Sequence, residues 1–209
     1  MKKLDIRNVP PAQILEMMFT LAPGAAKALE RSKPIKGKLF PYQAAALYVL
    51  AQQYDLDGSR IMEIGTLQGY SASVMSQAAR RAHITTLNPN KAELEVAKLN
   101  LAPYRNVTTL AMASWDYYPA APVNVEMVFV DGDHKRARRD LPWWNLIAFG
   151  GLMLFHDYSP VKVPPVYVAV NSLCTALKKA APDVVIMDSD GVGMAGIYKD
   201  AYIGWPGVQ

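Results

Sequence analysis

The chain predicts an α/β fold, with a mostly parallel sheet, helices on both faces and an antiparallel hairpin at the C-terminal end. Two observations carry this. From Arg60 onward, short apolar runs alternate with longer amphipathic stretches, the pattern produced when each strand is followed by a helix that returns the chain to the same sheet. The strand-like runs, such as EMVFVD and GLMLFHD, are apolar almost throughout, which suits strands covered on both faces. Together they describe a Rossmann-like arrangement.

The elements follow in order. Residues 11–31 and 41–54 carry apolar residues at helical spacing (Ile14, Leu15, Met18 and Leu21, then Ala44, Leu47, Tyr48 and Leu50), so two helices are expected ahead of the sheet. Between them SKPIKGKLFP, with its prolines, glycine and Lys33, Lys36 and Lys38, reads as a loop. RIMEIG is a strand leading to a helix from Ser71, and HITTLN a strand leading to a helix from Lys91. VTTLAM and EMVFVD follow, then a helical stretch around Trp143 to Ile147, the strand GLMLFHD and a helix near Val168 to Lys179. VVIMD and MAGIYK flank SDGVG and form the hairpin that closes the sheet. The 209 residues suit one domain, with residues 1–55 as an N-terminal helical extension.

Composition narrows the function. With 51% hydrophobic and 19% charged residues the chain is globular, and no stretch approaches the ~20 apolar residues of a membrane helix. Asp5, Arg7 and Glu16 interrupt the apolar core that a signal peptide needs. The single cysteine, Cys174, cannot form an internal disulfide or a cysteine metal cluster, so a cytoplasmic protein is expected. A net charge of +4, from 22 basic and 18 acidic residues, is too modest to indicate nucleic acid. The local cluster Lys135, Arg136, Arg138 and Arg139 suits either a solvated helix face or the holder of an anionic substrate.

In such a sheet, ligands bind outside the carboxyl ends of the strands. EIGTLQGYS follows the strand at Arg60, and Gly65 and Gly69 let the backbone turn tightly and a ligand approach it. The spacing is neither G-x-G-x-x-G nor a phosphate-binding loop ending in Gly-Lys-Ser/Thr. Glu63 adds a carboxylate, which favours a ligand with a cationic end. Two of the three histidines stand beside aspartates directly after apolar runs, in VDGDH (Val130 to His134) and FHDY (Phe155 to Tyr158). His83, among polar neighbours, reads as solvated.

These residues resemble the class I S-adenosylmethionine-dependent methyltransferases through E-x-G-x-x-x-G at Glu63, Gly65 and Gly69. The stretch VDGDHKRARRDLPWWNLIAFGGLMLFHDY is similar to a small-molecule O-methyltransferase branch, and SDGVGMAGIYK resembles its hairpin. The resemblance spans about residues 38–200. It implies S-adenosylmethionine as cofactor, with Glu63, Gly65, Thr66 and the backbone through Gly69 at its methionine part and Tyr70 and Ser71 beside them. At the adenosine positions, the usual acidic residues are replaced by Asn88 and Ala113. Asn88 keeps a neutral acceptor for the ribose, so an aspartate there is expected to bind more tightly. Ser114 and Trp115 become the adenine contacts, although core packing explains Trp115 equally well.

Asp131 and His134 are the expected catalytic residues, with Asp131 also near the cofactor. His134 would take the proton of a hydroxyl acceptor, and its alternative role is to cap or orient the next helix. Asp131, His156 and Asp157 match the positions at which relatives hold a divalent cation. Histidine at 156 departs from their usual carboxylate and shifts the preference from Mg²⁺ toward Mn²⁺, Fe²⁺ or Zn²⁺. The other reading is that His156 and Asp157 hydrogen-bond loop backbone. The expected partner is a small-molecule methyl acceptor, with no membrane and no nucleic acid; a homodimer is allowed. Three other classes share parts of the pattern: a cofactor-binding or nonenzymatic descendant of the fold, a nicotinamide-dependent dehydrogenase and an RNA methyltransferase.

Overall fold

The computed structural model describes residues 3–200 and 204–205. The chain begins with a strand, β1 (Leu4–Val9), followed by α1 (Pro11–Leu21), α2 (Gly24–Ser32) and α3 (Pro41–Gln52). Three helices and a strand thus stand where two helices were expected. The expected helix over residues 11–31 is cut at Ala22, the residue before Pro23, which proline biases away from helical backbone (φ −143°, ψ 88°). β1 was overlooked because its alternation is short and only Ile6 is buried.

The remaining elements are β2 (Arg60–Ile64), α4 (Tyr70–Ala78), β3 (His83–Leu87), α5 (Lys91–Leu101), β4 (Val107–Leu110), α6 (Ser114–Tyr117), β5 (Val125–Val130), β6 (Ile147–Phe155), α7 (Pro164–Ala176), β7 (Val184–Asp188) and β8 (Gly193–Tyr198). They form one sheet in the order β1-β7-β8-β6-β5-β2-β3-β4. Only β8 runs antiparallel to its neighbours, β6 and β7. The hairpin does not close the sheet as expected, because β1 pairs in parallel beyond β7 and becomes the edge.

Alternate strand residues feed two cores. Ile61, Met127, Phe129, Leu152 and Leu154 pack under α1 to α4, whereas Met62, Val128, Val130, Met153 and Phe155 pack against α7 and the buried Trp143 and Trp144. Period-two alternation therefore persists inside strands that are apolar on both sides. Between β5 and β6, residues His134–Leu146 form 3₁₀ turns with a kink at Arg136 and Pro142 inside. Ile147, expected in a helix, already belongs to β6. Among the described residues, no helix is long and apolar enough to cross a membrane.

Candidate active site

A cavity of about 310 Å³ opens at the carboxyl ends of β2, β3 and β5, where the parallel strands leave their loops free of sheet pairing. Its walls come from the turn after β2, the start of α4, the loop after β3, the start of α6, the Asp131–His134 turn and the Lys36–Leu39 loop. That volume lies in the range of small-molecule sites.

The two glycines of the β2–α4 turn have different work. Gly65 has φ 106°, and a Cβ there would overlap the carbonyl of Asp131, so this glycine lets the ends of β2 and β5 meet. Gly69 has φ 92° as N-cap of α4, and a Cβ there would lie 2.8 Å from Leu101 of α5. It serves the turn and the helix packing, and it does not line the cavity, whereas Thr66, Tyr70 and Ser71 do.

Glu63 sits behind this wall with no solvent exposure. Thr86 donates to its Oε2 at 2.5 Å, and Thr66 extends the chain at 2.5 Å from the Thr86 hydroxyl. Among the described residues, Oε1 has no hydrogen-bond partner. Burial raises its pKa to about 7, against the opposing hydroxyls of Ser71 and Thr86 and with some help from the charge of Asp131. A fully buried carboxylate with an orphaned oxygen next to a cavity is suited to a cation beyond the wall.

On the other side, Asn88 is committed to its own loop. Its amide oxygen accepts from the Asn90 backbone N–H at 2.9 Å, and its amide nitrogen donates to Glu93 Oε2 at 3.0 Å. Glu93 itself lines the cavity, so a carboxylate stands beside the position where one was found missing. Ser114 lines the wall and donates to Asp140 Oδ1 at 2.5 Å. Asp140 is buried, and burial lifts its pKa to about 6 despite that hydrogen bond. Trp115 is 38% exposed at the cavity wall, with the Arg139 guanidinium 4.7 Å from its ring centre, so core packing does not explain it. Apart from this stacked arginine, Lys135, Arg136 and Arg138 are also exposed, and Arg136 pairs with Asp133 at 3.5 Å. His83 is exposed, with Nε2 3.1 Å from the Thr108 hydroxyl.

The two histidine motifs converge. Asp131 Oδ1 lies 2.9 Å from His156 Nδ1 and 3.3 Å from His134 Nε2. Asp157 brings Oδ2 to 3.2 Å from His134 Nδ1 and Oδ1 to 3.5 Å from His156 Nδ1. Its backbone is left-handed, φ 56°, a conformation that aspartate tolerates better than most residues. Both aspartates therefore engage histidines. Burial would raise the pKa of Asp131, but the charges and hydrogen bonds of His156 and His134 outweigh it and hold the group below its usual range. His134 is raised chiefly by its hydrogen bond to Asp131, with burial opposing. His156 is raised although burial opposes, because Asp131 and Asp157 favour its charged form.

His156 is only 3% exposed, and its Nε2 faces Gln43 Oε1 at 3.1 Å. That oxygen also accepts the Phe40 N–H at 2.9 Å, so Gln43 ties the start of α3 to the site. With acceptors on both sides, an imidazolium fits between Asp131 and Gln43. Gln43, Glu93 and the cavity position of Asp140 all escaped the reading of the sequence. Only Asp140 had a signal, the Asp-Leu step after VDGDH.

Residues 62–158 match a family described as a methyltransferase domain, a stretch that holds most of the cavity's lining but not the Lys36–Leu39 loop. Among curated relatives, an uncharacterized protein of Acanthamoeba polyphaga mimivirus is 27% identical over 165 residues, covering 70% of this chain and 75% of that protein. A protein-L-isoaspartate O-methyltransferase of Ignicoccus hospitalis is 32% identical over 114 residues, 53% of this chain and 50% of the relative; the chain spans about half the length of that enzyme. Cofactor-bound Rv0187 from MTB superposes with a TM-score of 0.67 at 21% identity, covering 93% of this chain and 99% of that one. The O-methyltransferase from Bacillus cereus, in complex with SAH, gives 0.61 at 17% identity over 85% and 91%. The structural likenesses show a shared fold.

Proposed function

We propose that this protein transfers the methyl group of S-adenosylmethionine to a hydroxyl of a small molecule. The observation that carries the reading is His134: it lies on the cavity wall, within the stretch matched to the methyltransferase domain, with each ring nitrogen beside an aspartate. The cofactor supplies a methyl group already activated on a sulfonium, so the protein's task is orientation and proton removal. Glu63, through its negative field, and the Thr66–Ser71 turn suit the cationic amino-acid end. Ser114 and Trp115 suit the adenine, by hydrogen bond and by stacking. His134 in its neutral form donates its one N–H to an aspartate, takes the acceptor's proton on its other ring nitrogen, and Asp131 and Asp157 together stabilise the resulting charge.

The same cluster suits a divalent cation. Ligand atoms of Asp131, His134 and His156 lie within 4.8 Å of one another, and Asp157 adds a second carboxylate. Asp131, His156 and Asp157 would hold the ion, with Gln43 orienting His156 from behind, and the ion would lower the pKa of a bound hydroxyl. The mixed nitrogen and oxygen donors favour Mn²⁺ over Mg²⁺.

The test is methyl transfer to a panel of catechols and sugars, with and without EDTA, for the wild-type chain and Asp157→Asn. A methylated hydroxyl supports the reading. Full activity in EDTA removes the metal and leaves His134 as sole base, whereas rescue by Mn²⁺ but not Mg²⁺ supports nitrogen ligation by His156.

A further inference from the structure

We infer that Glu93 is the acidic residue that accepts the ribose hydroxyls of the cofactor, with Asn88 as the group that positions it. The inference rests on the cofactor reading above. The loop after β3 forms the cavity wall, yet Asn88 spends its amide oxygen on the Asn90 backbone N–H and points its amide nitrogen at Glu93. The Glu93 carboxylate reaches the cavity from the first turn of α5, half-buried, with Oε2 held at 3.0 Å by Asn88. Its Oε1 accepts from no described residue, and no described Lys, Arg or His pairs with it. A carboxylate offers only acceptors, and the two adjacent hydroxyls of a ribose are donors in search of one.

This arrangement reverses the expectation for position 88. Asparagine there is a donor that holds the neighbouring carboxylate in place. An aspartate would set two carboxylates at hydrogen-bond distance with no proton between them. Glu93 also precedes the bulk of α5, whose N-cap is supplied independently by Asn90, accepting from Ala92 at 3.1 Å and Glu93 at 3.4 Å. Changing the Glu93 carboxyl therefore leaves the helix capped.

The experiment is titration calorimetry of the full chain with S-adenosylhomocysteine and with its 2′-deoxy analogue, for the wild type, Glu93→Gln and Asn88→Asp. Circular dichroism melting of each variant verifies the fold. Glu93→Gln is expected to weaken S-adenosylhomocysteine about tenfold or more, as for loss of a hydrogen bond to a charged group. The deoxy analogue is expected to bind the wild type more weakly and to lose much less on the same substitution, because the two changes remove one shared interaction. Asn88→Asp is expected to weaken binding. Equal affinity of wild type and Glu93→Gln, an equal fold-loss for both ligands, or tighter binding by Asn88→Asp overturns the inference while leaving the cofactor reading intact. A wild-type chain that binds neither ligand overturns both.

Discussion

Replacing Glu63 with glutamine should stabilise the ligand-free protein above neutral pH and weaken its hold on the methyl donor. Burial raises the Glu63 pKa from 4.5 to about 7. Between those values the folded chain keeps a proton that the unfolded chain has released, so stability falls as pH rises, and the fall is complete above about pH 7. At about 1.36 kcal/mol per unit, the ionised carboxylate costs the fold roughly 3 kcal/mol there. Glutamine is neutral at every pH and can still meet the Thr86 hydroxyl, so it removes this cost. For a chain of this size the difference corresponds to a melting temperature roughly 6–12 °C higher at pH 8.5 and nearly none at pH 5. Calorimetric melts of both proteins at pH 5, 7 and 8.5 measure it. Parallel pH dependences, or a wild type that is the more stable at pH 8.5, would refute the reasoning. A bound cation favours the ionised form, so wild-type affinity for S-adenosylmethionine should rise with pH through about 7 and that of the variant should stay flat.

Gly65→Ala should destabilise the chain by roughly 2–3 kcal/mol or more, from left-handed strain and the overlap with the Asp131 carbonyl; an unchanged urea midpoint would contradict this. Gly69→Val should melt early because its side chain meets Leu101, and any loss of cofactor affinity should track loss of fold; a stably folded variant that no longer binds would place Gly69 at the cofactor instead. His134→Gln should lower kcat about 10²- to 10⁴-fold while S-adenosylhomocysteine affinity stays within about twofold. The hydrogen bond to Asp131 raises the His134 pKa, and a base must first lose its proton, so wild-type kcat should climb above the usual imidazole range. A rate that is flat from pH 6 to 9 argues against His134.

β2, β3 and β5 were legible because each ends abruptly: the apolar run stops at Gly65, Asn88 and Asp131, and those stops line the cavity. VDGDH and FHDY were joined in the sequence only through the resemblance, and the physical reason is in the fold: β5 and β6 pair in parallel and set Val130 beside Phe155. Glu93 and Gln43 were not legible. Both lie in first turns of helices, where glutamate and glutamine are ordinary, and only tertiary packing decides that one faces the cavity and the other His156. Position 88 read alone hides its neighbour, because the contact of Asn88 with Glu93, five residues on, exists only in the folded loop. β1 failed for a related reason: at an edge, Asp5 and Arg7 can pair with each other at 2.7 Å, and the apolar signal shrinks to Ile6.

The central claim is that the cavity holds the methyl donor with its sulfur toward the His134 cluster. A crystal structure of the chain with S-adenosylhomocysteine tests this most directly. The account predicts the adenine beside Ser114 and Trp115, the amino-acid end at the Thr66–Ser71 turn, and the sulfur facing the Asp131–His134 side with room for an acceptor oxygen at the ~3–3.5 Å near-attack distance of the transferred methyl group. A ligand bound elsewhere, or one in this cavity with its sulfur walled off from His134, would contradict it.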